Sequence, residues 1–284
     1  MMDGSFLQNS SAAHVPLQQH PAHLTALRII GAEARRIDLE DGGHANILLR
    51  RFGPLRLALV PRGPVWPDGR LPRPSDLMAL RRRLPALTAL IVNADAPLPV
   101  SPRLLPLFTA QWVAEWDIDR PPSELRARLH QKWRNRLCRA ESADLALRDR
   151  QMPARPDHWL LRLDAAHARQ KRYATWPPAL IAAHAAARNA RLFTAGPDAA
   201  PVAAMLFLVH GRRATYQVGW TGATGRAQDA HRLLMWHAAM TLRDRGVQRL
   251  DLGTIDTDSA PGLARFKLGT GAAARPLGPT VLAV

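Results

Sequence analysis

Gly219-Trp220-Thr221-Gly222-Ala223-Thr224-Gly225-Arg226, Arg249-Leu250-Asp251-Leu252-Gly253 and Arg265-Phe266-Lys267-Leu268-Gly269-Thr270-Gly271 are the three stretches whose reading decides the fold. The first ends a strand-like run over 214–219 and opens a loop with two glycines. Between it and the second lies 229–245, where Ala230, Leu233, Leu234, Ala238 and Leu242 recur at helical spacing. Arginines fill the last turn of that helix and Gly246 stops it. Residues 248–252 read as one more strand, and 262–268 as a short helical turn running into the glycines. The resulting order is strand, loop, long helix, strand, loop, helical turn.

Upstream, 191–195, 202–210 and 214–219 form an antiparallel run, with Gly211-Arg212 as a tight turn. Helical stretches at 164–173 and 178–189 precede them, after a proline-rich connection at 152–156. The N-terminal part opens on a meander, 36–39, 45–51 and 55–60, broken by Asp41-Gly42-Gly43 and Gly53-Pro54. Residues 60–67 hold too much proline for a central strand and read as a rigid loop. Ser75 is expected to N-cap a short helix over 76–84, and a strand follows at 87–93. Residues 109–118 alternate as a strand does, although Trp112 and Trp116 would also suit one helix face. Pro121-Pro122-Ser123 opens one helix over 124–142, with Leu125, Leu129, Trp133 and Leu137 as its buried stripe. The chain closes with the apolar segment 279–284.

The expected fold is α/β (α+β), built of two units, each a mixed, largely antiparallel sheet flanked by helices. The expected division is a flexible N-terminus at 1–20, a first unit at 21–120, a basic connecting helix at 121–150 and a second unit at 151–284.

The 284 residues are 47% hydrophobic and 22% charged, which excludes a disordered or low-complexity chain. A single cysteine, Cys138, allows no internal disulfide and points to a reducing, cytoplasmic setting. No basic leader precedes an apolar segment, and no apolar run reaches about 18 residues, so neither a signal peptide nor a membrane span is expected. The formal net charge is +16, and only three of the 39 basic residues are lysine, namely Lys132, Lys171 and Lys267. A compositional bias toward arginine could supply the excess, so the charge permits a polyanionic partner without requiring one. The most basic element carries Arg126, Arg128, Lys132, Arg134, Arg136 and Arg139 with no acid among them. It reads equally as an anion site or as a solvated face with arginine stems laid over apolar neighbours.

Common catalytic signatures are absent: there is no GxSxG, HExxH, Walker loop or GxGxxG. The eleven histidines show no metal-ligand spacing, so no metal is expected. Cys138 reads as a half-buried structural thiol rather than a nucleophile.

The strand-loop-helix-strand order resembles the core of the GNAT acyltransferases. That resemblance implies a donor phosphate held by Gly222, Gly225 and Arg226, although the superfamily's Q/R-x-x-G-x-G/A loop does not stand here. A finer resemblance is to the FemABX-like peptidoglycan bridge aminoacyltransferases and the BioF2-like acetyltransferase group. Four stretches carry it, in family order, from Arg62 to Gly271. Val60-Pro61-Arg62-Gly63-Pro64-Val65 is similar to the family's Arg-Gly-Pro segment, and Lys132-Trp133-Arg134-Asn135 through Arg139-Ala140-Glu141 to its basic helix. Asp251-Leu252-Gly253 resembles its strand end, and Gly262-Leu263 through Phe266-Lys267 and Gly271 its G-L-x-x-F-K-x-G-F-G ending, with Thr270 where the aromatic usually stands.

The resemblance implies an enzyme with Lys267 and Phe266 at the acyl-transfer centre and Arg62, Lys132, Arg134, Tyr216 and Gly271 on the substrates. A fixed cation suits the tetrahedral oxyanion of amine attack on an ester or thioester. For the amine's proton, Asp251, Asp256, Asp258, Tyr216 and the donor itself stay open as acceptors. The implied donor is an aminoacyl-tRNA or an acyl-CoA, with no bound cofactor. The implied acceptor is an amine, such as that of a UDP-linked or lipid-linked peptidoglycan precursor. Two other readings stand beside it: an acyl-CoA-dependent N-acetyltransferase of a small molecule, and a non-catalytic protein binding RNA or an anionic surface.

Overall fold

The computed structural model describes residues 15–284. The chain forms two units, one running to Val113 and joined by Arg275–Val284, the other Ala114–Ala274. The sequence reading draws the second unit from 151. In the structure that unit also takes in the basic helical region, and the last strand returns to the first unit.

The first unit holds α1 (Pro21–Ile29), β1 (Ala34–Asp38), β2 (His44–Phe52), β3 (Leu55–Pro61), α2 (Pro74–Arg82), β4 (Thr88–Asn93), β5 (Leu104–Phe108) and the C-terminal strand β13 (Thr280–Ala283). They build a six-stranded sheet of order β1-β2-β3-β4-β13-β5. Only β3 and β4 run parallel among its pairs. Alternate residues of the strands, Ile47, Val60, Leu90 and Val92, meet Leu77 and Leu80 of α2 in a core with no exposed side chain among them. Each such side chain contributes about 1.5–3 kcal/mol by leaving water.

Three expectations for this unit need correction. Of the N-terminus read as flexible, residues 1–14 lie outside the described residues, but Val15, Leu17 and Gln19 are buried. Gln19 is tied down from both ends of its amide: its Nε2 donates to the Pro61 carbonyl at 2.6 Å and its Oε1 accepts from the Asn46 amide at 2.7 Å. Ser75 is not the cap of α2; Pro74 takes the first helical position and Asp76 reaches back to the Arg73 N–H at 2.7 Å. The strand read over 109–118 starts only at Trp112, and β5 before it is a separate strand whose proline hid it.

The second unit holds β6 (Trp112–Asp117), α3 (Pro122–Arg128), α4 (Gln131–Glu141), β7 (Leu147–Gln151), α5 (Trp159–Lys171), α6 (Pro178–Ala186), β8 (Ala190–Ala195), β9 (Ala203–His210), β10 (Arg213–Thr221), α7 (Ala223–Ala227), α8 (Ala230–Asp244), β11 (Arg249–Ile255), α9 (Pro261–Leu268) and β12 (Ala273–Pro276). The sheet order is β12-β6-β11-β10-β9-β8-β7. Every residue of β9 is buried, as suits a strand covered on both faces. The mixed, helix-flanked sheets agree with the expected fold class.

The single helix read over 124–142 is two. Leu125, Leu129, Trp133 and Leu137 are all buried as the stripe requires, but the helix breaks at Leu129 and His130. His130 starts α4 afresh: its Nδ1 accepts from the Lys132 N–H at 3.3 Å, and its own N–H donates to the Gly269 carbonyl at 3.0 Å. The glycine loop read over 221–226 is likewise the helical turn α7.

Candidate functional site

β10 and β11 run parallel but pair only from Arg213/Arg249 to Thr215/Asp251. Beyond that point β10 stays with β9 through a bulge between Tyr216 and Val218. The two strands part, and the sequence-predicted Asp251 and Tyr216 stand where they do so. Asp251 is buried, and its Oδ1 accepts from the Gly253 N–H at 2.8 Å, which shapes the turn of β11 at a residue with φ +79°.

Lys267, near the end of α9, points back to this place. Its Nζ donates to the Thr254 carbonyl at 2.7 Å, and a side chain at Gly253 would begin 3.5 Å from it. The residue is 5% exposed. Burial pushes its ammonium down to about 8, against the opposing pull of the Asp251 carboxylate. One of three N–H donors is spent on Thr254, so the ammonium keeps capacity for a ligand oxygen.

Neighbouring residues hold α9 in place. The Trp133 indole N–H donates to the Phe266 carbonyl at 3.1 Å, and the two rings stand 6.2 Å apart. The ring of His231 lies 5.8 Å from that of Phe266. Gly269 is glycine because Trp133 covers it, and Gly271, at φ +86°, passes 3.0 Å from the Arg128 carbonyl where a Cβ would stand. Thr270 is wholly buried and its hydroxyl donates to the Lys267 carbonyl at 2.7 Å. Thus the Phe-Lys and glycine residues singled out in the sequence are brought together with the start of α4, and Gly271 acts there through its backbone.

Tyr216 is half-buried against Phe207, rings 5.5 Å apart, with its phenol lodged at Gly219 where no Cβ could fit. Burial first, then Asp164 and Tyr173, push that phenol above its usual range. His231, which the sequence did not single out, borders the same glycine: its Cε1 lies 3.3 Å from the Cβ position of Gly219. Burial holds its imidazole down at about 4, hence neutral, against the opposing pull of hydrogen bonds with the Ala204 and Trp220 backbone. No spacing in the sequence marks this histidine; only the sheet's partner helix brings it there.

Gly222, Gly225 and Arg226 lie in and before α7. The Gly222 N–H donates to the Val202 carbonyl at 2.9 Å, and a Cβ on Gly225 would stand 2.3 Å from that carbonyl. Arg226 folds back onto the Thr221 carbonyl at 2.7 Å. The clash with Val202 is what requires glycine at 225.

The basic region is also largely partnered. Asp229, with a side chain 1% exposed, binds Arg136 at 3.0 Å, Arg232 at 2.8 Å, and Arg139. Arg126 binds Glu141 at 2.5 Å and donates to the Sγ of Cys138 at 3.3 Å. Cys138 is exposed, contrary to the half-buried thiol expected. Lys132 is exposed and Arg134 half-buried, the latter reaching the Ala127 carbonyl at 3.5 Å. Arg62 belongs to the other unit. There its Nε binds Asp95 at 2.6 Å, Arg275 binds the same carboxylate at 3.2 Å, and Arg62 has φ +50°, so it braces the turn after β3. Asp256 caps its own loop, accepting from the Asp258 and Ser259 amides at 2.9 and 2.8 Å. Among the described residues no cluster of histidine, cysteine or carboxylate groups could hold a metal.

The family model for the acetyltransferase (GNAT) domain matches residues 124–268, the span from α3 through α9. No curated protein sequence matches the chain. Among solved structures, FemX is similar at TM-score 0.75 and 14% identity, covering 96% of this chain and 94% of its own. A conserved protein of unknown function from Bacteroides thetaiotaomicron VPI-5482 is similar at 0.60 and 14%, covering 93% and 90%. The C-terminal domain of a putative lysylphosphatidylglycerol synthetase from Agrobacterium fabrum is similar at 0.55 and 13%, covering 96% and 91%. These identities speak for a shared fold.

Proposed function

The chain belongs to the acetyltransferase (GNAT) domain family and is an acyltransferase, and from that premise we propose that it moves an acyl or aminoacyl group from an activated donor to an amine, with Lys267 at the transfer centre. The observation that carries this reading is the buried Lys267 ammonium, held by the Thr254 carbonyl where β10 and β11 part.

The amine nitrogen attacks the carbonyl carbon of the donor ester or thioester, and a tetrahedral oxyanion forms. The Lys267 ammonium stabilises that oxyanion in a site with little water, where a fixed charge acts most strongly. The intermediate then expels the alcohol or thiol, which leaves with the proton that the amine gives up. Asp251 favours the charged form of Lys267, and Phe266 packs against Trp133 and His231 to fix the helix that carries it. Tyr216, at the parting of the strands, is the hydroxyl that the reading offers for the proton of the acceptor amine.

The donor is an aminoacyl-tRNA or an acyl-CoA. The aminoacyl form is supported by the fold shared with a neighbour named as a lysylphosphatidylglycerol synthetase, and by the net charge of +16. A peptidoglycan precursor is the acceptor that the FemABX-like resemblance suggests, with Lys132 and Arg134 as the side chains of α4 left to meet an anionic substrate. Against the purely RNA-binding alternative stands the ion pairing of Arg126 with Glu141 and of Arg136 and Arg139 with Asp229, which ties down half of the six basic side chains of this region.

The test is transfer by the purified protein from acyl-CoAs and charged tRNAs to candidate amines, in wild type and in Lys267→Met, which keeps side-chain length without charge. A loss of about 10²–10³-fold in turnover with the melting curve intact is expected. Unchanged turnover in Lys267→Met removes the assignment.

A further inference from the structure

β5 and the segment that follows it to Trp112, the first residue of β6, carry a surface that acyl transfer does not use. From Leu105 through Trp112 every residue is exposed, and the run reads Leu-Pro-Leu-Phe-Thr-Ala-Gln-Trp. Phe108 is 71% exposed, Trp112 50%, Leu105 47% and Leu107 42%, and Val100 just before them stands fully in solvent. Large apolar side chains in such density on a surface mark a place that another surface covers.

Three observations say which. The run lies on and beside β5, the edge strand of its sheet, where a second chain could add a strand. Pro106 sits in the middle of that five-residue strand and has no N–H to donate, so strand addition by a copy of this chain or by an extended peptide is blocked at its centre. Second, no acidic residue lies between Asp95 and Glu115. Asp95 is engaged by Arg62 and Arg275, and Glu115 by Arg213 at 2.7 Å, so neither adds a free negative charge to the surface. Third, exposed Arg103 stands between Val100 and Leu105, on a protein of net charge +16. Exposed leucine, phenylalanine and tryptophan beside arginine, with no acidic side chain along the run, match the boundary of an anionic bilayer. Aromatic rings seat there at headgroup depth, and each arginine near the surface gains from lipid charge.

We propose that residues 100–112 are a docking surface for an anionic phospholipid bilayer, on which the protein sits peripherally. No described helix is long and apolar enough to cross a membrane, so attachment is by shallow insertion of these side chains.

The experiment is flotation of the full chain with vesicles of phosphatidylcholine alone, and with roughly one third phosphatidylglycerol. The variants are L105S/F108S and Arg103→Gln, all at exposed positions and outside the transfer centre. The wild type is expected to float with the anionic vesicles, the double variant to lose about tenfold or more in partitioning with its melting curve kept, and Arg103→Gln to narrow the preference for anionic lipid. Absence of binding to anionic vesicles, or equal binding by L105S/F108S, overturns the proposal. So does a concentration-dependent dimer in sedimentation that the double variant dissociates, since the surface would then belong to a second copy.

Discussion

Trp133 lies so close over Gly269 that a Cβ there would stand 2.5 Å from the indole Cδ1. The same tryptophan holds the Phe266 carbonyl, one residue before Lys267. A methyl group at Gly269 must therefore push α4 and α9 apart or turn the indole away. Gly269→Ala is expected to cost about 1–3 kcal/mol of stability, as overpacking does. It is expected to lower turnover beyond that loss, because the helix carrying Lys267 shifts. Denaturant unfolding beside transfer rates measures both; a variant with full stability and full turnover would show that the packing does not set the position of Lys267.

Lys267 gives the transfer reaction a pH signature. Burial brings its ammonium down to about 8, so the charge that stabilises the oxyanion is present at neutral pH and lost as pH rises through about 8. Turnover at saturating amine is expected to fall on that alkaline limb, whereas a neutral lysine acting as base would raise it. Stability moves the other way. Between about 8 and the ordinary 10.5 the unfolded chain keeps a proton that the folded one has shed, so this group makes folding more favourable as pH rises across that window. In Lys267→Met the alkaline rise in stability should flatten.

Much of this unit could be read from sequence because its elements are local. Ala230, Leu233, Leu234, Ala238 and Leu242 recur at helical spacing, and α8 buries all five. The Phe-Lys-x-Gly ending could be read as a site, but not as a joint. The bond from the His130 N–H to the Gly269 carbonyl spans most of the unit's sequence, and nothing local announces that a continuous leucine stripe will break there. Residues 221–226 read as a loop from their two glycines, whereas 223–227 wind into a helical turn in which Gly225 makes room for the Val202 carbonyl. β13 inserts between β4 and β5 from the far end of the chain, which no periodicity reveals. The resemblance implies a substrate role for Arg62, and nothing in the neighbouring sequence announces that Asp95 will meet its Nε at 2.6 Å.

Asp229 anchors three arginines from two helices, in a backbone conformation with φ +52°. Its side chain is buried while Arg136 and Arg139 remain 49% and 63% exposed, so solvent screens part of the attraction. Asp229→Asn keeps the shape and the left-handed preference but removes the charge. It is expected to cost about 1–3 kcal/mol, less than a fully buried ion pair. It should also free the arginines of α4, so that binding to RNA or heparin rises with a steeper salt dependence. An unchanged denaturation midpoint would mean that α4 docks through Leu137 and Trp133 alone.

Acid sensitivity is expected to begin in the first unit, at His20. Burial, then the neighbouring His44, hold its imidazole down to about 4, and His44 is itself lowered by burial. A histidine whose folded value lies below the unfolded 6.5 takes up its proton more readily on unfolding. Stability is therefore full above about 6.5 and is lost as pH falls toward about 4. The ring also caps α1, its Nδ1 accepting from the Ala22 N–H at 3.2 Å. Asparagine caps a helix well and does not titrate. His20→Asn should thus leave the melting temperature near neutral pH almost unchanged while reducing its fall between about 6.5 and 4. An acid slope identical to that of the wild type would take the sensitivity away from His20 and leave it to other buried imidazoles such as His44 and His231.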